Sequence, residues 1–188
     1  MLLEVGAGFG TFCEEARRPP SFRRVIAVEP SPELAASCRQ RGLEVINLPV
    51  EQVELENERI DVIAAFEVIE HLLAPQQMIA QCYRLLSPGG LLVLTCPSCR
   101  GFDVMTLGPL STTVDSEHLN YFRPESLSHL VSRCGFSVLE VFTPGKLDAE
   151  LVRKKAISGE LDLSGQPFLR EVLVERSEER RVGKECRL

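Results

Sequence analysis

The chain has 188 residues, 44% of them apolar and 26% charged, with a net charge of −6. That is enough for one domain with a real core, scarcely enough for two, and too apolar for wholesale disorder. No apolar run approaches the roughly 20 residues that cross a bilayer, no signal peptide opens the chain, and the acidic balance argues against a nucleic acid as partner, so a cytoplasmic setting is expected.

Leu2–Val5 is a short apolar strand running into Gly6-Ala7-Gly8-Phe9-Gly10, with Glu4 two places before the first glycine. Such a turn lets backbone approach a ligand closely. Residues 11–18 then start a helix whose first N–H groups face that ligand, and Pro19-Pro20 stops it. Arg24–Glu29 is a continuous apolar run ending in an acid, as expected of a strand buried on both faces. Ser31-Pro32-Glu33 supplies an N-cap and a proline at the first helical position, opening a helix to Arg41 that Gly42 ends.

Residues 43–48 and 60–66 read as a third and fourth strand. Residues 75–86 carry one apolar helical face, Ser87-Pro88-Gly89-Gly90 breaks it, and 91–96 is a fifth strand. A long loop over 97–123 is the expected lid over a second substrate. Residues 124–134 form a helix ended by Gly135, 136–142 alternates as a sixth strand, and 168–175 has helical spacing. Strands joined by helices of this length make an α/β, Rossmann-like, doubly wound sheet that is mostly parallel, with its ligands at the carboxyl ends of the strands.

The seven cysteines are scattered and read as reduced, small and mostly buried. Cys96-Pro97-Ser98-Cys99 has the spacing of a metal or redox pair, yet no second pair accompanies it, so it reads as a strand end and its loop. Glu29 lies about 20 residues past the glycines, where a carboxylate can accept both ribose hydroxyls. The glycines stand at 6, 8 and 10, which departs from the G-x-G-x-x-G of dinucleotide oxidoreductases. Glu4 beside the loop would repel a pyrophosphate and welcome a cationic amino group.

On these residues the chain resembles the class I S-adenosylmethionine-dependent methyltransferases of the small-molecule branch. Glu4-Val5-Gly6-Ala7-Gly8-Phe9-Gly10 matches that family's first motif, and Glu29 its ribose-binding acid. Phe66-Glu67-Val68-Ile69-Glu70-His71-Leu72 and Leu86-Ser87-Pro88-Gly89-Gly90 match two further segments, the likeness covering residues 1–142. Glu117-His118-Leu119-Asn120-Tyr121-Phe122 resembles a subgroup acting on sugars, lipids or secondary metabolites.

The resemblance implies S-adenosylmethionine as cofactor, with S-adenosylhomocysteine as product, and a methyl group passed to an O, N or C atom of a small-molecule, sugar or lipid-like acceptor. It implies that Gly6, Ala7, Gly8 and Gly10 offer backbone N–H groups to the methionine carboxylate, with Glu4 near the ammonium and Glu29 on the ribose. Pro30 and Val50 would line the adenine slot, and Phe66 and Glu67 would border the methionine half. Pro49 stands where the family commonly has an Asp, so adenine recognition leans on apolar packing. His71 or His118 would be a general base, a structural histidine being the alternative at each. Tyr121 reads as a loop anchor and His129 as a surface residue, and Glu70 beside His71 is one adjacent pair, too little for a metal site. An NAD(P)-dependent oxidoreductase and a catalytically inert binding module are the two other readings.

Both ends are expected to be cut. The chain opens inside its first strand, and a seventh, antiparallel strand typical of the family is expected to be missing. Residues 176–188 resemble the translation of a DNA-sequencing adapter and are set aside, leaving 1–175 as the methyltransferase domain. The tail holds five Lys/Arg against three Asp/Glu, a net of +2, so residues 1–175 carry −8.

Overall fold

A computed structural model gives the fold over residues 1–18, 21–55, 60–145 and 147–176. The adapter-like tail, apart from Arg176, and the Pro19-Pro20 helix stop lie outside those described residues. The chain divides into two compact units, one of Met1–Ser98 with Glu117–Phe142, the other of Cys99–Ser116 with the chain from Thr143 onward.

The first unit is a five-stranded sheet in the order β3-β2-β1-β4-β5, every neighbouring pair parallel. Its strands are β1 (Leu2–Val5), β2 (Val25–Val28), β3 (Glu44–Ile46), β4 (Ile60–Phe66) and β5 (Leu86–Thr95). β1 and β2 are buried along their whole length because helices cover both faces. Alternate side chains part to the two faces. Leu3, Val5, Ile26, Val28, Ile63 and Ala65 join one core with Val50, Val53, Met78, Ile79 and Cys82. Leu2, Val25 and Ala27 join the other with Cys13, Cys38 and Leu43.

The connecting helices are α1 (Thr11–Arg17), α2 (Pro32–Gln40), α3 (Pro75–Leu85) and, after an intervening helix of the second unit, α5 (Pro124–Arg133). α2 starts as its sequence dictates. The Ser31 hydroxyl accepts from the Leu34 N–H, Pro32 stands in the first turn, and Gly42 closes the helix at φ 71°.

Three expectations need correction. Leu86 and the Ser87-Pro88-Gly89-Gly90 segment belong to β5, and the pairing with β4 jumps from Ile60–Leu86 to Val62–Leu91. The helix stop is thus absorbed as an irregularity of the strand rather than lying between helix and strand. Residues 136–142 form no strand, although Val138, Leu139, Val141 and Phe142 follow an apolar pattern and stand exposed. Among the described residues no ladder pairs with them, and an apolar alternation becomes a strand only when its N–H and C=O groups find a neighbour. The loop expected over 97–123 is in two pieces: 99–116 belongs to the second unit and 117–123 to the first.

The second unit holds α4 (Phe102–Leu107), α6 (Ala149–Ile157) and α7 (Pro167–Arg170), the last continuing as a π-turn over Glu171–Glu175, so the helical spacing at 168–175 is realised. Leu107, Val152 and Leu173 form its small core. Among the described residues no helix is long and apolar enough to cross a membrane.

Candidate functional site

The carboxyl ends of β1, β2 and β4 meet at the glycine turn. Gly6, Gly8 and Gly10 all have left-handed φ, at 68°, 54° and 77°. They do different work. A Cβ on Gly6 would stand 2.5 Å from Val68 Cγ2, and one on Gly10 would strike Leu43 and come within 2.9 Å of Cys38 Sγ. Those two glycines make room for the protein itself. A Cβ on Gly8 would meet nothing within 4 Å, so this position faces open space.

The N–H groups of Gly6, Ala7, Gly8 and Gly10 each have a partner within the protein. Gly6 and Ala7 donate to Val28 O at 2.9 and 3.2 Å, and Gly10 donates to Ala7 O at 2.8 Å. Gly8 donates to Glu29 Oε2 at 2.8 Å. The physical reason is the tightness of the turn, which closes on itself and on the end of β2.

Two buried carboxylates flank the turn, each 5% exposed. Glu29 accepts from Gly8 N and, at 2.9 Å, from Ser31 N, which fixes its orientation while leaving lone pairs for hydroxyl donors. Asn47, a residue the sequence reading did not single out, holds the same corner through Nδ2 bonds to Glu29 O and Pro30 O at 2.8 and 3.0 Å. Glu4 lies under the turn, bonded by the Cys13 side chain and backbone, and its Oε2 has no partner. Burial holds its carboxyl above the usual carboxylate range, and the nearby Glu29 charge adds to that. A pair of acidic groups here is hostile to a pyrophosphate and receptive to an ammonium or to ribose hydroxyls.

Pro30 is exposed beside Glu29, whereas Val50 is 4% exposed and belongs to the core. Phe66 ends β4 with its ring edge-on to Phe12 at 4.8 Å. Glu67 follows it at φ 55°, the one non-glycine residue with positive φ among the described residues. A side chain held there is strained, and such strain gathers at functional positions. Its backbone N–H donates to Thr95 O and its carboxylate accepts from Thr95 Oγ1 at 2.8 Å, so the end of β5 holds it in place.

Beyond Glu67 the chain turns through Ile69–His71 in one 3₁₀ turn. His71 and His118, 47 residues apart in sequence, meet ring against ring, tilted at 54° with centroids 4.8 Å apart. His71 Nδ1 lies 3.0 Å from Glu117 O, which can only accept, so Nδ1 is the donor in that bond. Nε2 lies 3.9 Å from Glu70 Oε1. Glu70 is 1% exposed and neither of its carboxylate oxygens has a hydrogen-bond partner. Burial raises its pKa, the Glu67 charge adds to this, and the two histidines oppose it.

The ligand-type atoms of Glu70, His71 and His118 all lie within 4.8 Å of one another, a donor set suited to a shared proton or a small cation. Tyr121 stands edge-on to His118 at 6.4 Å, and His129 is exposed on α5. The Cys96 thiol is pushed up to about 12 by burial and by the charges of Glu70 and Glu67, which leaves it a poor nucleophile and fits its reading as a strand end.

The chain is similar to known proteins. A family model described as a methyltransferase domain matches residues 1–141. A probable S-adenosylmethionine-dependent methyltransferase of Mycolicibacterium smegmatis is 28% identical over 119 residues, 62% of this chain and 44% of that protein. A ubiquinone biosynthesis O-methyltransferase of Xanthomonas oryzae is 36% identical over 101 residues, 50% of this chain and 41% of its own length. The chain thus spans under half the length of these curated relatives. Among solved structures, an S-adenosylmethionine-dependent methyltransferase of Thermotoga maritima, described as a possible histamine N-methyltransferase, superposes with a TM-score of 0.62 at 26% identity, covering 73% of this chain and 63% of that one. With its parallel sheet, its glycine turn and its acid at the end of β2, the chain belongs to the S-adenosylmethionine-dependent methyltransferase family.

Proposed function

We propose that this chain transfers a methyl group from S-adenosylmethionine to an O, N or C atom of a small-molecule, sugar or lipid-like acceptor, in the cytoplasm. The observation that carries this reading is the pair of buried carboxylates, Glu4 and Glu29, flanking the open position at Gly8. Glu29 takes the ribose hydroxyls and Glu4 the ammonium of the cofactor. Gly6, Ala7, Gly8 and Gly10 shape the cradle, Pro30 and Val50 bound the adenine side, and Phe66 and Glu67 border the methionine half. When bound, the cofactor supplies a sulfonium-activated methyl group.

The residues of the chain contribute alignment and proton handling. Methyl transfer is an in-line displacement, so holding the two partners in register and keeping water out supplies most of the acceleration. A base is needed only where the acceptor carries a weakly acidic proton, and Nε2 of His71 or the ring of His118 is the group to take it. No metal is assigned a role. The named activities of the relatives, methylation at oxygen and possibly at nitrogen in the histamine case, sit within this acceptor range.

Calorimetry on the full chain with S-adenosylhomocysteine and with NAD tests the reading. Heat of binding with the first alone is the expected result. Heat with NAD would make the chain a dinucleotide enzyme, and no heat with either would make it an inert module.

A further inference from the structure

We propose that Asn120 is a positioning residue of the reaction, a clamp that holds the segment 117–122 on the turn 69–72 and so sets His118 against His71. The inference rests on the catalytic reading of that histidine pair. It starts from the carbonyls of the 3₁₀ turn. A short turn leaves its last C=O groups without partners of its own, and they must be satisfied from outside.

Here the outside partner is a single stretch of chain. Leu119 N and Asn120 N both donate to Glu70 O, at 2.8 and 2.9 Å. The Asn120 amide Nδ2 donates to Leu72 O at 2.6 Å, with Glu70 O and Ile69 O at 3.4 and 3.5 Å around it. His71 Nδ1 closes the other side by donating to Glu117 O at 3.0 Å. The far end of the segment is tied separately, by a bridge between Phe122 and Ser98.

His118 stands between the two anchored positions, Glu117 and Leu119, and its ring lies against the ring of His71. Asparagine suits this post because its amide carries two donors on a short stem and meets only carbonyls. An aspartate of the same shape would turn its negative oxygens on those carbonyls. The clamp thus joins two elements that sequence places far apart, and it does so without touching the cofactor cradle at Gly8.

The test needs no acceptor. The chain contains three histidines, and the third, His129, is exposed on α5 and serves as an internal reference. In full-length wild-type protein, two-dimensional NMR should show ring-to-ring cross-peaks between His71 and His118. In Asn120→Ala and Asn120→Asp those cross-peaks should fall to background while His129 resonances and S-adenosylhomocysteine binding stay as in wild type. Once an acceptor is in hand, Asn120→Ala should lower turnover by about 10–100-fold, and should add nothing in a His118→Ala background.

Unchanged ring cross-peaks in both variants overturn the clamp. So does a loss of His129 dispersion in both, which would make Asn120 a folding residue instead. Full turnover in both His71→Ala and His118→Ala would instead overturn the catalytic reading, while leaving the NMR result standing.

Discussion

The two halves of the candidate site are built in opposite ways. The glycine turn is made of consecutive residues clamped between buried strands, with the N–H groups of Gly6, Ala7, Gly8 and Gly10 all engaged by the protein itself. The histidine side is assembled across 47 residues, by hydrogen bonds from one loop segment to one short turn. The first kind of site is fixed by the core and fails when the core is disturbed. The second depends on a few polar contacts and can be lost while the sheet stays intact.

Substitutions should separate the two halves, and the largest effect is expected on the histidine side. His71→Ala or His118→Ala should lower methyl transfer by about 10²–10⁴-fold in the variant that removes the base, with S-adenosylhomocysteine affinity within about twofold of wild type. Unimpaired turnover in both variants would dissolve the distinction between the halves. Next comes the turn. Gly10→Ala forces a side chain into Leu43 and Cys38 at a left-handed φ, so thermal unfolding should show a loss of about 3 kcal/mol, roughly 6–12 °C in Tm. A melting temperature equal to wild type would show that the turn is not locked by its neighbours.

The smallest effect concerns Glu70. Its folded-state pKa is raised above the ordinary 4.5, so the folded chain holds more protons than the unfolded chain between those two values. Stability from this residue therefore falls as pH rises through the folded pKa and returns as pH drops toward 4.5. Glu70→Gln should raise Tm at neutral pH by roughly 2–4 °C, on the order of 1 kcal/mol, and the difference from wild type should shrink toward pH 4.5. A lower Tm at both pH values would mean that the carboxylate is stabilised by a partner.

The contrast also explains what could be read from sequence. The alternation of strand and helix, the Ser31 cap, the three glycines and the acid at Glu29 are local patterns of core and turn, and local patterns survive in a linear reading. The place of Glu29 was legible because a continuous apolar run closing on an acid marks the end of a buried strand. The engagement of the turn's N–H groups was not, since it needs Val28 O and Glu29 in three dimensions. Thr95, Asn47 and Asn120 went unmarked for the same reason. Each acts on backbone or on another side chain at long range, and its own residue type carries no signal of that. The alternation at 136–142 misled because period-2 spacing reports which side chains could share a face, not whether a neighbouring strand exists.

The most direct test of the account is at Gly8, where shape for a ligand and shape for the fold come apart. The φ of 54° costs an alanine there about 1–2 kcal/mol of stability, yet its Cβ would touch no protein atom within 4 Å. S-adenosylhomocysteine should therefore be titrated calorimetrically into wild-type protein and into Gly8→Ala. The prediction is single-site binding to wild type and an affinity about tenfold weaker or worse in a variant that remains folded. Equal affinity in the two proteins, or no binding to wild type, would contradict the assignment of this turn as the cofactor cradle.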